Sequence, residues 1–172
     1  MEIINLTQLK ALINSNDEGV LFCIGTSFIS KIIQAKTRLN PKEVVPSHVA
    51  IIHNGFLYES TSQSASIGNK TIPAGVRRYL LDDFYRLEKD KGTLYAFYPH
   101  HVYMSVAERY IHYPYGKDII LDYLLKDGSD GVSKGLICSQ YANKVTEIMD
   151  EECPSPAVLY RFVKEYDIDD VL

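Results

Sequence analysis

Asn54-Gly55 lies between two runs rich in β-branched and aromatic residues, Ser47-His48-Val49-Ala50-Ile51-Ile52-His53 and Phe56-Leu57-Tyr58-Glu59-Ser60. No other feature restricts the fold as tightly. A type I′ turn needs positive φ at both central residues, and Asn-Gly supplies it at low steric cost. The two-residue loop then sets the register: His53 faces Phe56, Ile52 faces Leu57, Ile51 faces Tyr58 and Ala50 faces Glu59. Side chains alternate, so His48, Ala50 and Ile52 share a face with Leu57, Glu59 and Thr61, while His53 points to the other. His48 becomes the diagonal neighbour of Glu59, within reach of long side chains. A slip of one residue would turn Glu59 away. An ordinary amphipathic hairpin has the same pattern, so the pair gains chemical meaning only with a third group.

Cys138 is the candidate third group. It opens a periodic apolar run in which Tyr141, Ala142, Val145, Ile148 and Met149 fall on one helical face. The cysteine therefore sits on a first turn, where unpaired N–H groups and the positive end of the helix dipole favour an anion. Thiols in such places lose their proton more easily, and the thiolate is the nucleophile. Most free cysteines are nevertheless small core hydrophobes. The oriented histidine tips the balance, because nucleophile, base and orienter together are what covalent acyl transfer requires.

Gly19 to Gly25, Ser47 to Glu59, Tyr113 to Asp118 and Leu136 to Tyr141 together resemble the permuted papain-like thiol hydrolases. These form the YiiX-like branch of the NlpC-type superfamily, related to the lecithin:retinol acyltransferase-like enzymes. Papain-like enzymes place the cysteine before the histidine, and the permuted branch reverses that order, as does this chain. The resemblance implies an α+β, circularly permuted papain-like (NlpC-type) fold with an antiparallel sheet packed against helices. It also implies Cys138 as nucleophile, His48 as base and Glu59 as third polar residue. One departure is Gln140, where relatives often carry glutamate after Cys-Ser.

Composition agrees without deciding. A length of 172 residues suits a single domain over 1–172, large enough to bury a core unaided. A net charge of −4 and the lack of a basic run argue against a nucleic-acid surface. Three cysteines are too few and odd in number for a disulfide framework, which suits a reducing compartment. Met1 to Lys10 has no basic n-region or continuous apolar core, so a cytoplasmic protein is expected. No membrane anchor is expected either, since Val20 to Ile24 is far too short to span. The expected activity is that of a cysteine peptidase or amidase on a small, soluble peptide or amide, with no cofactor and no metal. The alternatives are a thiol acyltransferase or lipid-acyl hydrolase, a zinc site made from the same side chains, and a catalytically silent binding module. Zinc spacing has no support, for no second close ligand pair such as C-x-x-C occurs.

Along the chain the pattern predicts a helix near 6–14, a strand near 19–24, a helix near 27–37 and the hairpin over 47–61. A polar loop over 61–71 precedes an extended piece at Gly75-Val76-Arg77-Arg78, a helix near 80–88 and a strand from Leu94 cut off by Pro99. Helices are predicted over His101 to His112 and near 118–125, then the 127–131 loop and the cysteine helix. Pro154 and Pro156 are expected to end that helix and leave a tail. Cys23 reads as core, and Cys153, beside Asp150, Glu151 and Glu152, as a poor nucleophile. His100 and His101 read as a solvated turn, His112 as a surface or capping residue, and the tyrosines between Tyr95 and Tyr123 as core and groove rim.

Overall fold

The structure is a computed structural model and describes residues 1–117, 135–152 and 154–169. The expectations for 118–125, 127–131 and Cys153 lie outside the described residues. Five strands form one antiparallel sheet: β1 (Glu18–Ile24), β2 (His48–His53), β3 (Phe56–Thr61), β6 (Gly75–Leu80) and β7 (Leu94–Pro99), in the order β6-β3-β2-β1-β7. The hairpin has the register that the turn dictates, from His53 opposite Phe56 to Ala50 opposite Glu59. Asn54 and Gly55 take φ of 47° and 75°, the positive values a type I′ turn needs.

Helices cover both sheet faces, which is why Val20–Ile24 reads as a continuous apolar run instead of an alternating one. On one face Val20, Phe22, Val49, Ile51 and Tyr58 pack with α4 (Met104–Arg109), α5 (Cys138–Thr146) and α6 (Pro156–Asp169), through Ala107, Tyr141, Ala142, Val145, Leu159 and Val163. On the other, Leu21, Cys23, Ala50, Ile52 and Leu57 pack with α1 (Leu6–Leu12) and α3 (Leu81–Glu88), through Leu9, Leu81 and Phe84. The fold is therefore α+β, with an antiparallel sheet packed against helices. Helix α2 (Phe28–Thr37) is capped by Ser27, whose Oγ accepts from the Ser30 N–H at 3.1 Å. Among the described residues, no helix is long and apolar enough to cross a membrane.

Four local expectations are corrected. The 61–71 loop contains a small hairpin, β4 (Ala65–Ile67) with β5 (Lys70–Ile72), turning at Gly68-Asn69 with Gly68 at φ 58°. Gly-Asn is itself a hairpin signal, hidden by the serines around it. The segment beyond Pro156 is a helix, not a tail. Pro156 takes the first helical position, where its missing N–H costs nothing, and Ser155 Oγ accepts from the Val158 N–H at 3.2 Å. The cysteine helix stops at Thr146, well before the prolines, because Glu147 turns left-handed at φ 52° and Asn143 binds the Met149 N–H at 2.9 Å. Finally, the helix expected from His101 to His112 shrinks to α4, and His112 stands exposed with φ 71°.

Candidate active site

His48 is the first residue of β2, at the end of the sheet beside its cross-strand partner Cys23. Its Nε2 lies 2.6 Å from Glu59 Oε2, so the imidazole N–H donates to the carboxylate. That contact leaves Nδ1 as the ring nitrogen available to Cys138. Glu59 is buried, and its other oxygen is fully used. Oε1 accepts from Arg77 Nε at 3.0 Å, Arg77 Nη2 at 2.7 Å and the Tyr79 hydroxyl at 2.6 Å. Arg77 and Tyr79 are two apart on β6, hence on one face, with Arg77 directly opposite Glu59. Arg77 Nη1 also donates to the Gln63 carbonyl at 2.8 Å. The carboxylate is thus clamped from β6 and presents one oxygen to the histidine.

The charges follow from this geometry. Burial alone would raise the Glu59 carboxyl. The His48 hydrogen bond and charge, the Arg77 charge and the Tyr79 hydroxyl outweigh it and hold the group down at about 2. Burial likewise pulls the His48 imidazole down. The charge of Cys138 and its hydrogen bond, followed by Glu59, overcome that and lift it to about 10. His48 is therefore held as an imidazolium at neutral pH.

Cys138 is the first residue of α5 and is only 4% exposed, whereas the His48 side chain is 28% exposed, so the pair is open to solvent on the histidine side. The helix lies on the Val49/Ile51/Tyr58 face, yet Glu59 shares the opposite face with Ile52 and Leu57. The site therefore forms where the two layers meet around the end of the sheet at His48. Ser60 Oγ donates to the Leu136 carbonyl at 2.5 Å, fastening the run into Cys138 onto β3. The Leu136 N–H donates to the Pro114 carbonyl at 3.0 Å, and the Gly116 N–H to the Leu136 carbonyl at 3.2 Å. Tyr115 bridges Leu136 in the same crossing, and burial, then the charges of Cys138 and Glu59, push its hydroxyl well up.

Gly135 permits this crossing. A Cβ there would lie 2.6 Å from the Pro114 carbonyl oxygen and 2.7 Å from the Gly116 nitrogen, both backbone atoms that cannot swing aside. Gly135→Ala is expected to cost about 1–3 kcal/mol, as overpacked sites do, and to shift Cys138 as the strap moves. Urea unfolding and the rate of Cys138 alkylation check this, and a variant matching the parent in both removes the strap from the account.

The first turn of α5 is held by Gln140, whose Oε1 accepts from the Ile137 N–H at 3.2 Å. The first helical bond runs from the Tyr141 N–H to the Ile137 carbonyl at 3.0 Å, so the Cys138 and Ser139 N–H groups have no helical acceptor. Glutamine thus does the work that a glutamate at this position would do, without adding a charge beside the thiol. Ser139 Oγ is buried and finds no hydrogen-bond partner among the described residues.

Of the residues read from sequence, His48, Glu59 and Cys138 come together, and Cys23 is buried in the core. His53 instead pairs with Glu18 at 3.0 Å, and Glu18 also holds His101 at 3.1 Å. His100 Nε2 reaches the Thr146 carbonyl at 3.1 Å, so both residues of the expected solvated turn have partners. Sequence reading missed Arg77, Tyr79, Ser60 and the role of Gly135. Parity could have paired Arg77 with Tyr79, but nothing in the chain announces that β6 lies beside β3. Neither a protein-family model, nor a curated protein, nor a solved structure matches this chain.

Proposed function

We propose that this chain is a cysteine-dependent hydrolase of the permuted papain-like kind, cleaving an amide or peptide bond through a thioester. The supporting observation is the ordered contact of Glu59 with His48 Nε2 at 2.6 Å while Cys138 acts on the same ring. His48 takes the thiol proton and the Cys138 sulfur attacks the carbonyl carbon. The unpaired N–H groups at the start of α5, that of Cys138 first, donate to the resulting oxyanion. The imidazolium then protonates the departing amine as the C–N bond breaks, leaving the acyl group on sulfur. Water attacks the thioester and gives a proton to His48, and the acid leaves as the thiol re-forms. Glu59 keeps the ring oriented and stabilises its charged form throughout.

Incubation with a panel of amides, peptides, esters and lipid acyl donors, followed by mass measurement of the intact protein, tests the proposal. A Cys138 adduct that decays to free acid is the expected outcome. Unmodified protein with every donor, together with an unreactive Cys138, would mean a silent module. A second reading, acyl transfer from a lipid donor, is favoured by the exposed apolar side chains of α2 beside the site.

The same three side chains are chemically suited to zinc, and the prediction there is distinct. Glu59 Oε1 is taken by Arg77 and Tyr79, and Oε2 accepts from His48 at 2.6 Å, so the carboxylate and the imidazole already satisfy each other without a metal between them. Activity and thermal unfolding are expected to survive a strong chelator and to be changed by thiol alkylation. Stoichiometric zinc in purified protein, with unfolding on chelation, would replace this mechanism with a metal site.

A further inference from the structure

Helix α2 and the segment after it leave large apolar side chains in water. Phe28 is 79% exposed, Ile29 54%, Leu39 79% and Val44 49%. Isolated exposed residues of this kind are ordinary, but four along one short stretch of chain are not. Lys31, Lys36, Arg38 and Lys42 are interspersed among them in an otherwise acidic protein of net charge −4. The one carboxylate in the stretch, Glu43, is held by Arg161 at 2.6 and 3.0 Å.

The two halves of the stretch form one surface. Helix α2 has ten residues and is about 15 Å long. The segment that follows must return that distance, because Ser47 Oγ accepts from the Gly25 N–H at 3.3 Å, just ahead of the helix start. Arg161 pins the inner side by donating to the Thr37 carbonyl at 2.5 Å as well as to Glu43. The surface also borders the site. Ser47 precedes His48, and a Cβ on Gly25 would lie 2.5 Å from Ser30 Oγ and 3.3 Å from Ser47 Oγ. The first turn of α2 and the catalytic histidine are therefore neighbours.

We propose that this surface docks on an anionic lipid bilayer. Phe28 and Ile29 enter the boundary between headgroups and acyl chains, and Lys31, Arg38 and Lys42 meet the lipid anions. Docking turns the His48 edge of the site toward the membrane, so a substrate held at that surface reaches the thiol without leaving it. This last consequence rests on the proposed hydrolase, whereas docking itself does not. A second copy is a poorer occupant, since a two-fold contact would bring the same cationic surface from both copies together, Lys31, Arg38 and Lys42 of each.

The chain has no tryptophan, so Phe28→Trp introduces a single fluorescent reporter at an exposed position. The full chain with this change is mixed with vesicles of phosphatidylcholine alone or with roughly one third phosphatidylserine. The expected result is a blue-shifted emission and co-flotation with the serine-containing vesicles only. Lys31→Glu with Lys42→Glu in the same chain should weaken binding about tenfold or more, as should high salt. No shift and no flotation with either vesicle overturns the proposal, as does equal binding to both or indifference to the two charge reversals. A dimer in sedimentation with no flotation assigns the surface to a second copy and also overturns it. Cys138 alkylation on the same samples separates the two readings: a reactive thiol without vesicle binding defeats docking alone, and vesicle binding with an inert thiol defeats the hydrolase alone.

Discussion

Replacing His48 with alanine is expected to remove nearly all hydrolysis, about a thousandfold or more, while the protein stays folded. The same change should slow iodoacetamide at Cys138 near neutral pH by about tenfold or more, since the variant has no imidazole to take the thiol proton. In the parent, Cys138 should be alkylated ahead of Cys23, which lies inside β1 and whose thiol is pushed well up by burial, with the Glu88 and Glu59 charges adding to it. Peptide mapping after limited alkylation reads both effects. Preferential labelling of Cys23 or Cys153 in folded protein would sink the nucleophile assignment, and an unchanged Cys138 rate in His48→Ala would sink the base.

His48 also sets an alkaline limit. Its folded value of about 10 stands above the ordinary 6.5, so its contribution to stability is complete below about 6.5 and is lost as pH rises through about 10. Thermal stability is therefore expected to fall on the alkaline side as pH approaches about 10, and a His48 imidazole that loses its proton near neutrality would break the pairing with Cys138.

The legible part of this site was the part encoded by local geometry. Asn54-Gly55 fixes the turn, the turn fixes the register, and the register puts His48 and Glu59 on one face; each step involves residues close in sequence. The helix start at Cys138 was legible because the apolar spacing of Tyr141, Ala142 and Val145 is local as well. Strand order was not. Periodicity says that β6 has two faces but not which strand lies beside it, and so Arg77 and Tyr79 could not be placed on Glu59. The layer that carries Cys138 was hidden for the same reason, since an amphipathic helix fits either face of a sheet buried on both. The missed helix α6 has another cause: Pro156 was read as ending the helix before it, although Ser155-Pro156 is also a good start. The early stop of α5 at Glu147 comes from Asn143 binding the chain beyond it, a contact with no periodic signature.

Arg77 is where the largest loss of stability is expected. Its side chain and that of Glu59 are each only 9% exposed, and the guanidinium supplies two of the three hydrogen bonds on Glu59 Oε1. Arg77→Met removes the countercharge and leaves a buried carboxylate with Tyr79 and His48 alone, which should cost about 3–5 kcal/mol. Glu59→Gln keeps the shape and removes the charge, so the double variant should recover much of that loss, and urea unfolding of the four proteins closes the cycle. Glu59→Gln alone should retain part of the activity, because losing the orienter costs less than losing the base. Acid provides an independent check. The carboxyl is held at about 2 against an ordinary 4.5, so its contribution is present above about 4.5 and is lost as pH falls toward about 2. In Glu59→Gln that loss should vanish from the acid limb. The low Glu59 value and the high His48 value describe one shared interaction, so their effects on stability are not added. If Arg77→Met proves as stable as the parent, and the acid limb is the same with and without Glu59, the carboxylate is not held by β6 and has no claim to orient His48.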